Sequence, residues 1–179
     1  KYRADRLDKD ELCAVDSTTR SAYGSSLADI KWGRNKEHVP LPQTSEVVVY
    51  SLDSHMPVYY RTFPGNIPDS RSVETILTDI SHAGFPRVIL VTDRGYESVQ
   101  NLEKYILRGQ PMIMCVKMRQ KIVLDRIAEF GTIGGKPGDM LFDTESRLYY
   151  KQYDLECDVR GNGDTVHKAD RMKLDLFFD

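Results

Sequence analysis

The sequence predicts an α/β protein built around a mixed, five-stranded sheet, and three observations lead to this fold class. Residues 88–96 read V-I-L-V-T-D-R-G-Y, and the apolar, β-branched run that opens them is typical of a central strand buried on both faces. Residues 12–19, L-C-A-V-D-S-T-T, repeat that design. Helical segments separate the later strands, which indicates parallel pairing through crossovers. Each of the two buried strands ends at an acid, Asp16 or Asp93, at the sheet edge where α/β proteins bind ligands.

The first part of the chain predicts three strands and a long loop. The first strand ends at Asp16. Residues 21–43 lack sustained periodicity and contain two glycines and two prolines, so they form a loop that is unusually long for a compact domain. The runs at 46–52 and 58–63 are rich in β-branched and aromatic residues and are joined by D-S-H-M-P. They predict a hairpin.

Two helices are predicted from apolar positions at 3.6-residue spacing. Asp69 or Ser70 caps the first helix, which ends near Gly84. The second helix covers residues 98–108 and stops at Gly109. The side chains expected to face the core are Val73, Ile76, Leu77 and Ile80 in the first helix and Val99, Leu102 and Ile106 in the second.

Strands at 88–92 and 112–116 complete the sheet. Short links between the first three strands predict an antiparallel meander, whereas helical crossovers predict parallel pairing of the last two. If the first crossover returns beside the first strand, the strand order is 3-2-1-4-5. Asp16 and Asp93, which are 77 positions apart in the sequence, then emerge side by side from strands about 4.8 Å apart.

The chain is expected to contain two parts, a core at residues 1–121 and a β-rich insertion at 122–179. The segments predicted for the insertion are a short helix at 120–130, a hairpin of 139–142 and 147–157, and a strand at 172–178.

Composition is that of an ordinary globular protein, with 179 residues, 40% hydrophobic and 29% charged, and a net charge of −2. This charge counts only mildly against nucleic-acid binding, because a basic face can offset an acidic site. No apolar run approaches the roughly 20 residues of a membrane span. Three widely spaced cysteines predict reduced thiols of a cytoplasmic protein, not a disulfide framework or a zinc site. The first residue, Lys1, and the final L-F-F-D lead us to expect a fragment of a longer chain.

The two predicted strand-end acids indicate a metal site. Either acid alone is as readily explained by a helix cap or a turn, and Asp16 is followed by hydroxyl residues that suit a turn. As a pair about 5 Å apart, however, the two carboxylates repel each other unless positive charge lies between them. Oxygen ligands favour Mg²⁺ or Mn²⁺, and two such ions can stabilise the attacking and leaving oxygens of phosphoryl transfer.

Five motifs give the chain a family resemblance. They are A-V-D-S-T-T at 14–19, M-P-V-Y-Y-R at 56–61, P-G-N-I-P-D at 64–69, V-T-D-R-G-Y at 91–96 and N-L-E-K-Y-I at 101–106. Together, and in this order, they resemble the DDE transposases of bacterial insertion sequences, which have a ribonuclease H-like core with a β insertion. The resemblance covers most of residues 12–117 and the β-rich part that follows.

The resemblance implies a site and an activity. Asp16 and Asp93 match two of the three acids that bind metal in such enzymes, and a complete active site holds two Mg²⁺ or Mn²⁺ ions. The implied reaction is metal-dependent hydrolysis of a phosphodiester at an element end, followed by joining of the freed 3′-hydroxyl to target DNA. The implied partners are double-stranded DNA, as element ends and as target, and a second copy in a homodimer, with no membrane. The implied location is the bacterial cytoplasm, associated with the nucleoid.

The third acid of the family does not match any residue of this chain. In such enzymes it is a glutamate on a helix beyond the insertion, within a tyrosine-arginine-glutamate-lysine signature that the chain lacks. Glu129 is an internal substitute to consider, but its helix comes too early for the family's pattern. We therefore expect the third acid beyond Asp179, and expect this chain alone to bind metal weakly and not to cleave DNA.

Basic residues near the predicted site are candidates for DNA binding. The loop at 31–38 carries Lys31, Arg34 and Lys36, and Arg94 follows the second acid. The loop is either a solvated segment or a flap that contacts phosphates, and Arg94 either forms a structural ion pair or contacts a phosphate. Aromatic residues can stack on bases or pack among themselves. We expect packing for Tyr96, and the other aromatic residues considered are Phe142, Tyr149, Tyr150 and Tyr153.

Two other functions fit the same scaffold. One is a non-catalytic DNA-binding or dimerisation domain. The other is a different metal-dependent nuclease or phosphatase, although the D-x-D nucleophile motif of haloacid-type phosphatases is absent because S-T-T follows Asp16.

Overall fold

The computed structural model describes residues 4, 7–24, 26, 28–129, 140–155, 158–160, 166–168 and 172–178. Within these residues the chain forms ten strands and three helices. In chain order they are β1 (Leu12–Ser21), β2 (Gln43–Ser51), β3 (Met56–Pro64), α1 (Asp69–His82), β4 (Ile89–Thr92), α2 (Val99–Leu107), β5 (Met112–Met114), α3 (Lys121–Ala128), β6 (Leu141–Asp143), β7 (Leu148–Leu155), β8 (Asp158–Arg160), β9 (Val166–Lys168) and β10 (Met172–Phe178). None of these described helices combines the length and the apolar character that crossing a membrane requires.

Five strands form the main sheet, in the order β3-β2-β1-β4-β5. The pairs β1–β2 and β2–β3 are antiparallel, and the pairs β1–β4 and β4–β5 are parallel. The connection from β3 to β4 contains α1 and the connection from β4 to β5 contains α2, as parallel pairing requires. The predicted α/β class, mixed sheet and ribonuclease H-like strand order are confirmed.

The first strand is longer than predicted, because β1 passes through Asp16 and continues to Ser21. The prediction that this strand ends at Asp16 is wrong. β2 accompanies β1 as far as the pair Ser21 and Gln43, whereas the ladder with β4 stops where Val15 faces Thr92. The acid therefore lies within a strand, at the point where one of its two neighbouring strands ends.

The core of the first part of the chain lies between the main sheet and α1. The four apolar side chains predicted to face inward from α1 are all buried. They belong to one cluster with alternate residues of the sheet, including Cys13, Val15, Val47, Val49, Val58 and Leu90. Burial of this apolar surface supplies the main favourable contribution to folding.

The beginning of α1 differs from the prediction, since neither Asp69 nor Ser70 caps it. The N-cap is Pro68, which offers no side-chain hydrogen bond. Asp69 is instead the first helical residue, where a negative charge interacts favourably with the helix dipole. The helix ends as predicted, because Gly84 adopts a φ of 70° that allows the chain to turn away.

The inward face of α2 is also rotated from the predicted one. Val99 is 63% exposed, and Leu102 and Ile106 are only half-buried. The buried residues of this helix are Asn101 and Tyr105.

Asn101 accounts for this rotation. Its amide group donates hydrogen bonds to the carbonyl oxygens of Ser70 and Tyr96, each at 2.8 Å. These bonds join α2 to the first turn of α1 and to the segment after β4. A buried amide with two carbonyl acceptors is costly to turn outward, so it overrides the apolar spacing that favours Val99.

The described residues fall into two compact units, 1–115 and 116–179. In the second unit, β6 and β7 form the predicted hairpin and β10 adds to it, giving a sheet in the order β10-β7-β6. Its small core contains Val123, Leu174 and Leu176.

Two of the three cysteines lie in described residues, and both are free thiols, as predicted. Cys13 is buried in the sheet, and burial, reinforced by the nearby Glu11 carboxylate, raises the pKa of its thiol to about 12. Cys115 is exposed. Cys157 lies outside the described residues.

Replacing Asn101 by alanine should destabilise the protein far more than replacing Val99 by alanine in the same helix. Asn101→Ala leaves two carbonyl oxygens without their donor, and we expect it to lower the free energy of unfolding by about 1–3 kcal/mol. Val99→Ala should change it by less than about 0.5 kcal/mol, because Val99 is exposed. Urea unfolding followed by circular dichroism measures both values, and a larger decrease in the Val99 variant would contradict this description of α2.

Candidate active site

Asp16 lies within β1 and Asp93 directly follows β4, and the two residues are at the same level of the sheet. Val15 of β1 faces Thr92 of β4 in the parallel ladder, so the residue that follows each of them emerges at the same edge. Both acids are exposed. Local backbone amides orient the carboxylates: the Ser17 amide donates to Asp16 Oδ1 at 2.7 Å, and the Gly95 amide donates to Asp93 Oδ1 at 2.9 Å.

A third carboxylate, that of Asp69, approaches this pair from the beginning of α1. A Cβ atom added to Gly95 would lie 3.0 Å from Asp93 Oδ1 and 3.4 Å from Asp69 Oδ2. The carboxylates of Asp69 and Asp93 therefore both lie next to Gly95, where a larger side chain would crowd them.

Lys36 brings a positive charge to the same place. Its Nζ donates to the carbonyl oxygen and to the Oγ of Ser17, each at 2.7 Å, and it lies 3.4 Å from Asp69 Oδ2. Ser17 Oγ in turn donates to Asp69 Oδ1 at 2.7 Å. Lysine, serine and aspartate thus form one hydrogen-bonded unit directly beside Asp16.

The loop that carries Lys36 is held in place at several points along β1. The Lys36 amide donates to Thr19 Oγ1 at 2.9 Å, and the Asn35 side chain donates to Ser21 Oγ at 2.9 Å. The Ser21 hydroxyl also donates to the Glu37 carboxylate. Residues 35–37 therefore lie along the second half of β1.

The same loop is joined to the turn that precedes α1. The buried side chain of Gln43 donates to the carbonyl oxygens of Arg34 and Gly65, at 3.0 and 2.9 Å. At Gly33 the backbone approaches Gly65 so closely that an added Cβ would collide with the Gly65 carbonyl oxygen. The glycine of the P-G-N-I-P-D motif, Gly65, is also required, because a Cβ added there would collide with the Gln43 carbonyl oxygen.

Tyr96 forms the buried floor of the site, with 1% of its surface exposed. Burial is the largest cause that raises the pKa of its hydroxyl, the proximity of Ser17 lowers it in part, and the charges of Asp69, Asp16 and Asp93 raise it further. Although Ser17 lies close, no hydrogen bond of standard geometry reaches the Tyr96 hydroxyl from the described residues. Tyr96 is the packing residue expected from the sequence.

The donor atoms of the two strand-end acids suit a hard divalent cation. Carboxylate oxygens are the ligands that Mg²⁺ prefers, and Mg²⁺ keeps several waters when one or two carboxylates hold it. Among the described residues, no group of three or more histidine, cysteine, aspartate or glutamate side chains is placed to bind a metal ion. Asp16 and Asp93 could therefore hold one partly hydrated ion.

The other predicted DNA-binding residues lie on the surface. Lys31, Arg34 and Arg94 are exposed, and the backbone of Lys31 forms an isolated bridge with Gln43. Lys36, the fourth residue predicted to bind DNA, contacts Ser17 and Asp69 beside Asp16.

Glu129 lies in the second unit, at the C-terminal end of α3. It is half-exposed and forms an ion pair with Arg126 at 2.5 Å. A surface ion pair three residues apart on a helix accounts for this acid without a metal ion.

The aromatic side chains of the second unit contact one another and nearby cations. The ring centroids of Phe142 and Tyr149 are 4.8 Å apart, and those of Tyr150 and Phe177 are 6.4 Å apart. Tyr153 lies beneath the guanidinium of Arg126, at 5.2 Å. These contacts agree with the interpretation that a hairpin packs its own aromatic residues.

Sequence reasoning missed Asp69, Ser17 and Gly95 as members of the site. It assigned Asp69 to a helix cap and named Ser17 only as part of a run of hydroxyl residues. The available signal was positional, since Asp69 ends the P-G-N-I-P-D motif and Ser17 follows Asp16 directly.

The chain matches the sequence profile of a known protein family. The sequence profile of the family described as transposase DDE domain matches residues 8–169. No curated protein matches the chain.

Solved structures similar to the chain are distant in sequence. In the piggyBac transposase synaptic complex with hairpin DNA, the match has 10% identity and a TM-score of 0.46, and covers 82% of this chain but only 31% of the piggyBac chain. The HTLV-2 integrase catalytic core domain in complex with magnesium gives 12% identity and a TM-score of 0.38, over 69% of this chain and 68% of that one. The Mos1 transposase paired-end complex gives 9% identity and a TM-score of 0.39, over 66% and 46%.

Replacing Gly33 by alanine should undock the loop, and Gly24→Ala provides a matched control. The added methyl group at Gly33 collides with backbone, whereas at Gly24 it meets nothing within 4 Å. We expect Gly33→Ala to lower the free energy of unfolding by about 1–3 kcal/mol and to speed proteolysis within residues 28–43. Urea unfolding and limited proteolysis measure these effects. Equal behaviour of the two variants would show that contact with Gly65 does not hold the loop.

Proposed function

The chain belongs to the family of transposase DDE domains, and from this premise we propose that it is the catalytic core of a DNA transposase in which Asp16 and Asp93 hold a divalent metal ion. The proposed reaction is hydrolysis of a phosphodiester at an element end, followed by joining of the freed 3′-hydroxyl to target DNA. The β-rich residues after the core, from about 122 to 179, form the insertion expected in such a core.

One observation carries this proposal. The two aspartates that lie in the family's expected motifs follow residues paired in a parallel ladder, Val15 and Thr92. Two exposed carboxylates at adjacent strand positions repel each other, and a divalent cation relieves this repulsion.

The residues of the chain have separate parts in this chemistry. Asp16 and Asp93 would hold the metal, whose charge would stabilise the oxygens entering and leaving the phosphorus. Gly95 keeps open the space beside Asp93. Tyr96, which follows Gly95 directly, is buried and packs in the core. In a complete site we expect two ions, and the second needs a further carboxylate.

The proposed partners are double-stranded DNA and, in the assembled transposase, a second copy of the chain. The residues proposed to contact phosphates are Lys31, Arg34, Lys36 and Arg94. Three of them lie in the docked loop, and Arg94 lies in the turn after β4, directly after Asp93.

Removing the charge of either aspartate should weaken metal binding. We expect Asp16→Asn and Asp93→Asn to weaken Mn²⁺ binding by at least about tenfold, since each removes an ionised ligand. Asp154→Asn is a charge-matched control, because that side chain is 90% exposed in the second unit. Isothermal titration calorimetry measures the affinities. Unchanged Mn²⁺ affinity in both site variants would refute the assigned metal site.

The same two variants test catalysis in the transposase that contains this core. We expect each to abolish Mn²⁺-dependent cleavage of a labelled element-end duplex while leaving duplex binding nearly unchanged. Cleavage by either variant at the wild-type rate would remove that aspartate from the reaction, and the domain would then be a DNA-binding or dimerisation module.

The basic loop can be tested by its response to salt. Replacing Lys31, Arg34 and Lys36 together with alanine should weaken binding to duplexes of any sequence. It should also lower the slope of log affinity against log salt by about 0.9 for each phosphate that the loop no longer neutralises. Fluorescence anisotropy at several NaCl concentrations gives both quantities, and an unchanged slope would make the loop a solvated segment.

A further inference from the structure

The ammonium group of Lys36 lies on an edge of β1 that β4 leaves vacant. Backbone carbonyls alternate in direction along a strand: the Glu11 carbonyl accepts from Ile89 at the start of β4, and the next carbonyl, of Leu12, accepts from Leu52 on the opposite side. Ser17 is six residues after Glu11, so its carbonyl also faces the β4 side. Because the ladder with β4 ends opposite Val15, this carbonyl has no strand beside it, and Lys36 Nζ donates to it at 2.7 Å.

The backbone amide of Ser17 points to the same vacant edge. Its partner is Asp16 Oδ1, at 2.7 Å. Side chains of Asp16 and Lys36 therefore occupy the place where the next residues of β4 would lie. This brings the ammonium group into the crevice from which Asp93 emerges.

Lys36 is held firmly but is not enclosed. Two hydrogen bonds to Ser17 and the ion pair with Asp69 fix its head group, and the loop contacts fix its backbone. Its side chain is still 44% exposed. An ammonium group is a compact point charge with three donors. With two donors directed to Ser17, the third can serve an anion that enters from solvent.

The charge around Lys36 favours such an anion only when a metal is bound. Asp69 accepts a hydrogen bond from Ser17, the residue after Asp16, and the carboxylates of Asp69 and Asp93 both lie next to Gly95, so three acids lie near the ammonium group. They repel a phosphate when no metal is present. A divalent ion held by Asp16 and Asp93 would offset that negative charge, and the ammonium group could then contact a phosphate oxygen as a second charged partner beside Asp69.

We propose that Lys36 contacts the DNA phosphate that lies beside the metal, and that Ser17 and Asp69 are the positioning residues that hold it there. This inference rests on the proposed function, and it assigns Lys36 a place in the reaction site that differs from the peripheral phosphate contacts of Lys31 and Arg34.

The first test measures metal affinity and needs no DNA. A positive charge a few ångströms from the acids opposes cation binding, so Lys36→Met should tighten Mn²⁺ binding by about five- to tenfold. Lys9→Met makes the same charge change in the segment before β1, at the opposite end of the strand, and should leave the affinity unchanged. Lys36→Arg should keep the wild-type affinity. Isothermal titration calorimetry compares the four proteins.

The second test measures binding of a 20-base-pair duplex with Mn²⁺ present, by fluorescence anisotropy at several NaCl concentrations. Lys36→Met should weaken duplex binding and lower the salt slope by about 0.9, although it tightens metal binding. Lys36→Arg should restore the slope. Ser17→Ala changes no charge but removes a partner of Lys36, and should weaken duplex binding by about threefold or more.

The outcomes separate this inference from the proposed function. If Lys36→Met behaves like Lys9→Met in both measurements, Lys36 is a structural residue of the loop and the inference is wrong, while the metal site on Asp16 and Asp93 stands. If Asp16→Asn and Asp93→Asn leave Mn²⁺ affinity unchanged, the proposed function itself fails. If Lys36→Met alters the thermal stability of the protein, Lys36→Gln takes its place. The same tighter Mn²⁺ binding and lower salt slope are expected for that variant.

Discussion

The unequal lengths of β1 and β4 determine the arrangement of the site. β1 is paired on one side along its whole length, whereas on the other side its ladder with β4 stops after Val15. Beyond that point the backbone of β1 continues with one strand partner. This step in the sheet places Asp16 beside Asp93 and opens a crevice, which side chains from distant parts of the sequence then enter.

Three connections fill the crevice, and each depends on the others. The loop after β1 supplies Lys36, the first residue of α1 is Asp69, and the turn after β4 supplies Gly95. Gln43 joins the loop to the turn before α1 through buried hydrogen bonds, and the loop contacts that turn at backbone distance. Two kinds of contact hold these connections together. Gly33 and Gly65 meet at backbone distance, and the buried Gln43 amide donates to carbonyl oxygens. Neither contact depends on a flexible side chain at the surface.

Patterns of apolar residues predicted the parts of the fold that burial decides. The sheet order, the face of α1 and the adjacency of Asp16 and Asp93 follow from strand runs, helical spacing and crossover rules, and the structure agrees on the fold. Polar contacts decided the rest. Beyond Asp16, β1 consists of polar residues, including Ser17, Thr18 and Thr19, that continue its ladder with β2. The rotation of α2 depends on the side-chain amide of Asn101. The position of Asp69 before a helical pattern favoured a cap. Its contacts with Ser17 and Lys36 arise only in the tertiary structure, so the sequence pattern could not predict them.

The loop over the second half of β1 has a consequence for how the protein avoids aggregation. A strand with one side unpaired presents backbone donors and acceptors on which a strand of another molecule can add. Here three of these backbone groups have side-chain partners: the Ser17 carbonyl has Lys36, the Ser17 amide has Asp16, and the Ser21 amide has Glu37 at 3.3 Å. Charged side chains on an edge also oppose the approach of another strand. The residues assembled around the acids therefore also oppose pairing of this edge of β1 with a strand of another molecule. Undocking of the loop would expose both the reaction site and an unpaired strand edge.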